Sequence, residues 1–158
     1  MTVHPNPPVF DSNSRILILG SFPSVKSREW GFFYGHPQNR FWRILAEVLN
    51  KDVPEDIDGK RKFLLENNIA LWDVIASCDI VGSSDNSVKN VVPNDLSIIL
   101  STADIKRIFV NGKCAEKYYN KYIFPKTGTE CIVLPSTSPA NAAFGFEKLC
   151  EYWKKIIQ

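Results

Sequence analysis

Short apolar runs that stop at a small or polar residue alternate along this chain with segments of helical periodicity, and that alternation restricts what it can fold into. Arg15 to Leu19 reads RILIL and ends at Gly20, the pattern of a strand buried on both faces of a parallel sheet. Ala70 to Ile75, Lys106 to Val110 and Cys131 to Leu134 repeat the pattern. Between the first two runs, Phe41, Ile44, Leu45, Val48 and Leu49 recur at the spacing of a helix with one apolar face. Further helices are expected at Lys60 to Asn67, Asp95 to Ser101 and Ala115 to Tyr122. A last one carries the stripe Phe146, Leu149, Cys150, Trp153, Ile156 and Ile157. Strand and helix in succession, without repeat or linker, predict a single α/β domain of three layers. Its centre is a mostly parallel four-stranded sheet with helices on both faces. The proline-rich residues 1–14 are read as an extended lead-in and residues 15–158 as the domain.

The net charge of +2 excludes no class of partner, because nucleic-acid binding needs a basic patch rather than a basic total. No apolar run is long enough to span a bilayer, and the first ten residues lack the apolar stretch of a signal peptide. The expected setting is therefore cytoplasmic, without a membrane partner. The four cysteines, Cys78, Cys114, Cys131 and Cys150, form no C-x-x-C pair. They are read as small buried hydrophobes, and no metal or organic cofactor is expected.

In a parallel sheet, ligands bind outside the carboxyl ends of the strands. Four segments follow those ends: Gly20 to Asn39, Ile75 to Asn86, Asn111 to Lys113 and Pro135 to Asn141. None contains a G-x-S-x-G elbow, a phosphate-cradling loop or H-E-x-x-H. They are rich instead in Ser, Asn, Pro and aromatic residues. Aromatics stack on bases, amides read base edges, and hydroxyls hold phosphates. That set suits a flipped nucleotide.

Two of these segments carry a resemblance. GSFPSVKSREWGFFYGHPQNRFW, Gly20 to Trp42, is similar to the first motif of the uracil-DNA glycosylase superfamily. LPSTSPAN, Leu134 to Asn141, is similar to its last. Among the branches the chain most resembles the hypoxanthine-DNA glycosylases, from Arg15 to the C-terminus. The resemblance implies a monofunctional glycosylase of base excision repair. Such an enzyme acts as a monomer on double-stranded DNA containing deaminated bases, with hypoxanthine preferred. In the mismatch-specific branch the turn G-x-N-P-G carries a catalytic Asn; here Phe22 stands in its place, and the hypoxanthine branch points to Asn39 as the catalytic amide.

Asn39 would hold the attacking water and turn its carbonyl dipole toward the cationic sugar; an Asn there equally suits the cap of the following helix. Asn111 would read the N–H and C=O edge of the base, although Asn-Gly is also a turn dipeptide. The resemblance places Tyr34 against the extruded base and Phe22 at the pocket floor. Trp30, Phe32 and Phe33 are read as core. His36 is a candidate donor to sugar or phosphate. Ser136, Thr137, Ser138 and Asn141 are expected in the minor groove, and Lys26, Arg28 and Arg40 along phosphates. Asp73 and Asp85 lie on the binding side, where a carboxylate must be turned inward or tied to a neighbour. The alternatives are a uracil- or mismatch-specific glycosylase, a DNA-binding relative with weak or no chemistry, and a small-molecule hydrolase.

Overall fold

The computed structural model describes residues 1–158. After a two-residue strand β1 (Thr2–Val3) come β2 (Ile16–Gly20), a short helix α1 (Val25–Trp30), α2 (Phe41–Leu49), α3 (Ile57–Glu66), β3 (Ile69–Asp73), β4 (Ile75–Asp79) and β5 (Lys89–Pro93). A single-turn α4 (Ser97–Leu100) precedes β6 (Arg107–Asn111), α5 (Lys113–Tyr118), α6 (Phe124–Thr127), β7 (Cys131–Leu134) and α7 (Phe146–Trp153). Four strands make a wholly parallel sheet in the order β3-β2-β6-β7, as the sequence predicts. A second, antiparallel sheet has the order β1-β4-β5.

The apolar run of β2 is buried at every position. Ile16 and Ile18 join the cluster under α2, α3 and α7, whereas Leu17 and Leu19 join the cluster under α4 and α5. A continuous run of large aliphatic residues is what a strand covered on both faces requires. Each fully buried side chain there contributes roughly 1.5–3 kcal/mol of hydrophobic stabilisation.

Several expectations change. The loop after β2 contains α1, started by Ser24, whose side chain accepts from the Ser27 N–H, and ended by Gly31 in the left-handed region at φ 74. Trp30 at its end is 51% exposed and not core, unlike Phe32 and Phe33, which are buried. The polar stretch 77–93, which the sequence reads as one loop, carries strand at both ends: β4 and β5 pair antiparallel with two register shifts, and only residues 80–88 connect them. Its polar, irregular residues gave no alternation to read. The helix at Ala115 to Tyr122 is longer: α5 passes through a wide turn, Tyr119–Ile123, into α6. Pro125 explains the wide turn, because it lacks an N–H and crowds the preceding turn of helix.

The N-terminal stretch is bound to the domain. β1 pairs with β4, the His4 N–H donates to the Ala76 carbonyl, and Val9 bridges Leu71. It lies against β3 and β4, on the side where the parallel strands end.

Candidate active site

The strand order reverses direction between β2 and β6, so the crevice of this sheet opens at Gly20 and Asn111. A cavity of about 510 Å³ lies there. Its walls come from the loop after β2, the end of β3, the Ser83–Asn86 loop, the start of α5 and the loop after β7.

Gly20 forms part of the floor. A side chain on it would overlap the Asp73 carboxylate and the Tyr34 hydroxyl, so a residue without Cβ is required where these two groups converge. Tyr34 has a positive φ of 54, and its ring stacks on Phe41 at 4.1 Å between centroids. Its buried hydroxyl has no hydrogen-bond partner. Burial, and then the charge of Asp73, raise its pKa far above the ordinary tyrosine range, so it stays an O–H donor.

Thr137, 1% exposed, joins the two amides. Its N–H donates to Asn111 Oδ1 (3.1 Å), and Asn111 Nδ2 donates to its Oγ1 (3.0 Å). The Thr137 hydroxyl donates to Asn39 Oδ1 (2.9 Å), which also accepts the Phe41 N–H (3.0 Å). Since an N–H must donate to oxygen, the Phe41 bond fixes which end of the Asn39 amide is carbonyl. Oδ1 is thus occupied twice, while Nδ2 makes no bond within the protein. Asn39 precedes the N-cap residue Arg40, so it closes the turn that leads into α2 rather than capping the helix, and it lines the cavity.

Arg40 fastens the last loop. Its backbone N–H and Nε donate to the Thr137 carbonyl, Nη1 to that of Phe144, and Nη2 to those of Ser138 and Asn141. A guanidinium spent on carbonyls has little left for phosphate, which corrects the expected role of Arg40. Gly112 sits at φ 94, a backbone conformation suited to glycine, and a Cβ there would lie 3.1 Å from that of Ser136. At the mouth, partial burial holds Asp85 above the ordinary carboxylate range. Burial, then the charge of Asp85, push the Cys114 thiol up to about 11. It is a thiol at neutral pH and no nucleophile.

The chain matches the uracil DNA glycosylase superfamily over residues 7–158. It belongs to that superfamily. Two hypoxanthine DNA glycosylases are similar to it. The one from Methanosarcina barkeri is 36% identical over 137 residues, 85% of each chain. The one from Methanosarcina acetivorans is 34% identical over 154 residues, 96% of each. The solution NMR structure of a candidate uracil DNA glycosylase from Methanosarcina acetivorans superposes with a TM-score of 0.82 at 31% identity, covering all of both chains.

Within this glycosylase fold, Phe22, Tyr34, Asn39, Asn111, Ser136, Thr137 and Ser138 all line the one cavity. Thr137 is a buried hub rather than a phosphate contact. Asn141 lies outside the cavity lining and serves the loop, donating from Nδ2 to the Ser136 carbonyl (3.0 Å). His36 also lies outside the lining; its Nδ1 accepts the Gln38 N–H and closes a turn. Arg28 donates to the Gly82 carbonyl at 2.6 Å and lies over the Phe22 ring, so it braces the wall. Lys26 is exposed and paired with Glu29. Sequence reasoning missed Lys113, a cation on the cavity wall, and His4, which reaches the site from the N-terminal stretch and ties down Asp73 at 2.7 Å.

The clamp reading of Arg40 has a direct test. Wild-type affinity for duplex DNA is expected to fall steeply with salt as counterions are released. Arg40→Ala should lower the melting temperature and weaken binding at every salt concentration, by roughly 2 kcal/mol in stability for lost bonds to a charged donor. The slope against log salt should not change. A slope reduced by about one unit would restore Arg40 as a phosphate contact.

Proposed function

We propose that the chain hydrolyses the N-glycosidic bond of hypoxanthine in double-stranded DNA, opening base excision repair at deaminated adenine. The observation that supports this most is a cavity built of amides, hydroxyls and aromatic faces on a chain similar to two hypoxanthine DNA glycosylases. The proposed enzyme works as a monomer on a base swung out of the duplex, without a metal or organic cofactor.

In this reading the cavity face of Tyr34 stacks on the base, its other face being held by Phe41. Asn111 still has one carbonyl lone pair and one amide proton after its two bonds to Thr137, enough for the base's N–H and C=O edge. The C1′–N9 bond breaks with its electron pair going to N9, and the base takes up a proton from solvent. A water oxygen bonds to C1′ and gives a proton back to solvent. Asn39 supplies positioning: Nδ2 is the end of the amide free to hold that water, and the bonds to Oδ1 fix its aim. Ser136, Ser138 and Lys113, at the rim, contact phosphates.

A duplex with one deoxyinosine, incubated in excess EDTA and then treated with alkali, tests this. Strand scission at the inosine only after alkali is expected, at the same rate as without chelator. Intact strands in both conditions would refute the activity. Loss of scission in EDTA with recovery on adding zinc would refute the cofactor-free reading.

A further inference from the structure

Asp73 is a buried carboxylate that the chemistry just described does not use. Its side chain is 4% exposed and that of its partner His4 is 3% exposed. His4 Nδ1 accepts the N–H of Asn6 (3.1 Å), which places the ring proton on Nε2, donating to Asp73 Oδ2. The other oxygen, Oδ1, makes no hydrogen bond within the protein and meets the cavity floor beside Gly20 and the Tyr34 hydroxyl. No lysine or arginine lies within ion-pairing distance of Asp73; its side chain is held by the single hydrogen bond from His4. A carboxylate removed from water with a single donor is costly unless something else satisfies it. The open oxygen therefore faces the space a ligand would fill.

Depth decides which part of a nucleotide meets it. Asn39, before α2, and Ser136 and Ser138, in the last loop, are each partly exposed, whereas Asp73, 3% exposed, and the Tyr34 hydroxyl are buried where they converge on Gly20. The sugar and phosphate stay at the rim, and the base goes to the floor. We propose that Asp73, held by His4, sets base choice. Its charge favours a base that leaves after protonation and opposes one that leaves as an anion. This inference rests on the glycosylase reading above.

The electron count separates the two kinds of base. A 6-oxopurine accepts a proton from solvent at N7, becoming cationic. When C1′–N9 breaks, the pair goes to N9 and the base departs neutral, while water supplies hydroxide to C1′ and a proton to solvent. Uracil has no such ring nitrogen: the pair goes to N1 and the base departs as an anion, protonated afterwards. A negative charge at the floor lowers the barrier for the first and raises it for the second. His4 is a positioning residue, aiming Oδ1 by holding Oδ2.

The test is the ratio of single-turnover rates on matched duplexes carrying hypoxanthine or uracil. Asp73→Asn is expected to shrink the hypoxanthine-to-uracil ratio by roughly 10- to 100-fold, the range commanded by a hydrogen bond to a charged group. Hypoxanthine release should fall and uracil release hold or rise. His4→Ala should move the ratio the same way by a smaller factor, and His4→Gln, which can still donate to Oδ2, should restore it. Parallel losses on both substrates would make Asp73 a general base and overturn the inference, as would an unchanged ratio in a folded variant. If Asp73→Asn fails to fold, the His4 pair decides: an Ala variant with the wild-type ratio overturns it. A wild-type protein inert on inosine would instead refute the activity itself.

Discussion

Asn39→Ala is expected to slow base release ~100- to 1,000-fold, the usual cost of deleting one preorganised polar group from a catalytic site. DNA affinity should change far less. The structure sharpens the experiment, because Asn39 has two separable ends. Its Oδ1 holds the Phe41 N–H and the Thr137 hydroxyl, and losing such hydrogen bonds costs about 1 kcal/mol of stability each. Its Nδ2 is the end without a partner in the protein, and in the proposed reading it holds the water. Asn39→Asp keeps an acceptor for both donors and removes the NH2 group, so it should melt near wild type and still be slow. A near-wild-type rate in the Ala variant would leave Asn39 a turn residue before α2 and nothing more. A fast Asp variant would transfer the role from Nδ2 to the carbonyl oxygen.

Base choice is the second large effect. Single-turnover rates are expected to run hypoxanthine first, then uracil or xanthine, with undamaged guanine at background. A purine offers Tyr34 a larger face than a pyrimidine, and base–aromatic stacking is worth about 1–3 kcal/mol. Phe22, in the loop where the mismatch-specific branch has a catalytic Asn, lies in the cavity with its ring edge-on to His4 at 5.9 Å. It gives uracil no activating amide. Guanine shares the N–H and C=O edge, but its 2-amino group would be buried without a partner, at roughly 1–3 kcal/mol, and its pairing with cytosine resists extrusion. Uracil released faster than hypoxanthine would overturn both the preference and the reading of Phe22, with the superfamily assignment intact.

What the sequence disclosed followed from periodicity and from motif. RILIL and the spacing of Phe41, Ile44, Leu45 and Val48 each report one local geometry, and the four parallel strands and α2 follow from such runs. The two motifs brought Asn39, Tyr34 and Ser136 together because both follow strand ends of one sheet. Arg40 was misread because its partners are backbone carbonyls, which every residue has and no pattern marks. His4 was passed over for a related reason: it meets Asp73 across 69 positions, and a single polar side chain has no period. The pair β4 and β5 escaped notice because a bulged, solvent-facing strand need not be apolar.

The Thr137 junction bears on when during its synthesis the protein becomes an enzyme. One hydroxyl joins a residue 98 positions upstream and another 26 upstream, and both partners are made long before it. A growing chain can dock β2 against β3 and then β6 as segments emerge from its N-terminal side. Until the stretch after β7 has left the ribosome, however, Asn39 and Asn111 lack the link that sets their aim. Any purine grip or water-holding geometry is therefore acquired in the final stage of translation, by a molecule whose sheet is nearly complete. A chain that stops short of that loop also lacks α7, whose Leu149 and Trp153 close one face of the core, so the core and the site are completed together.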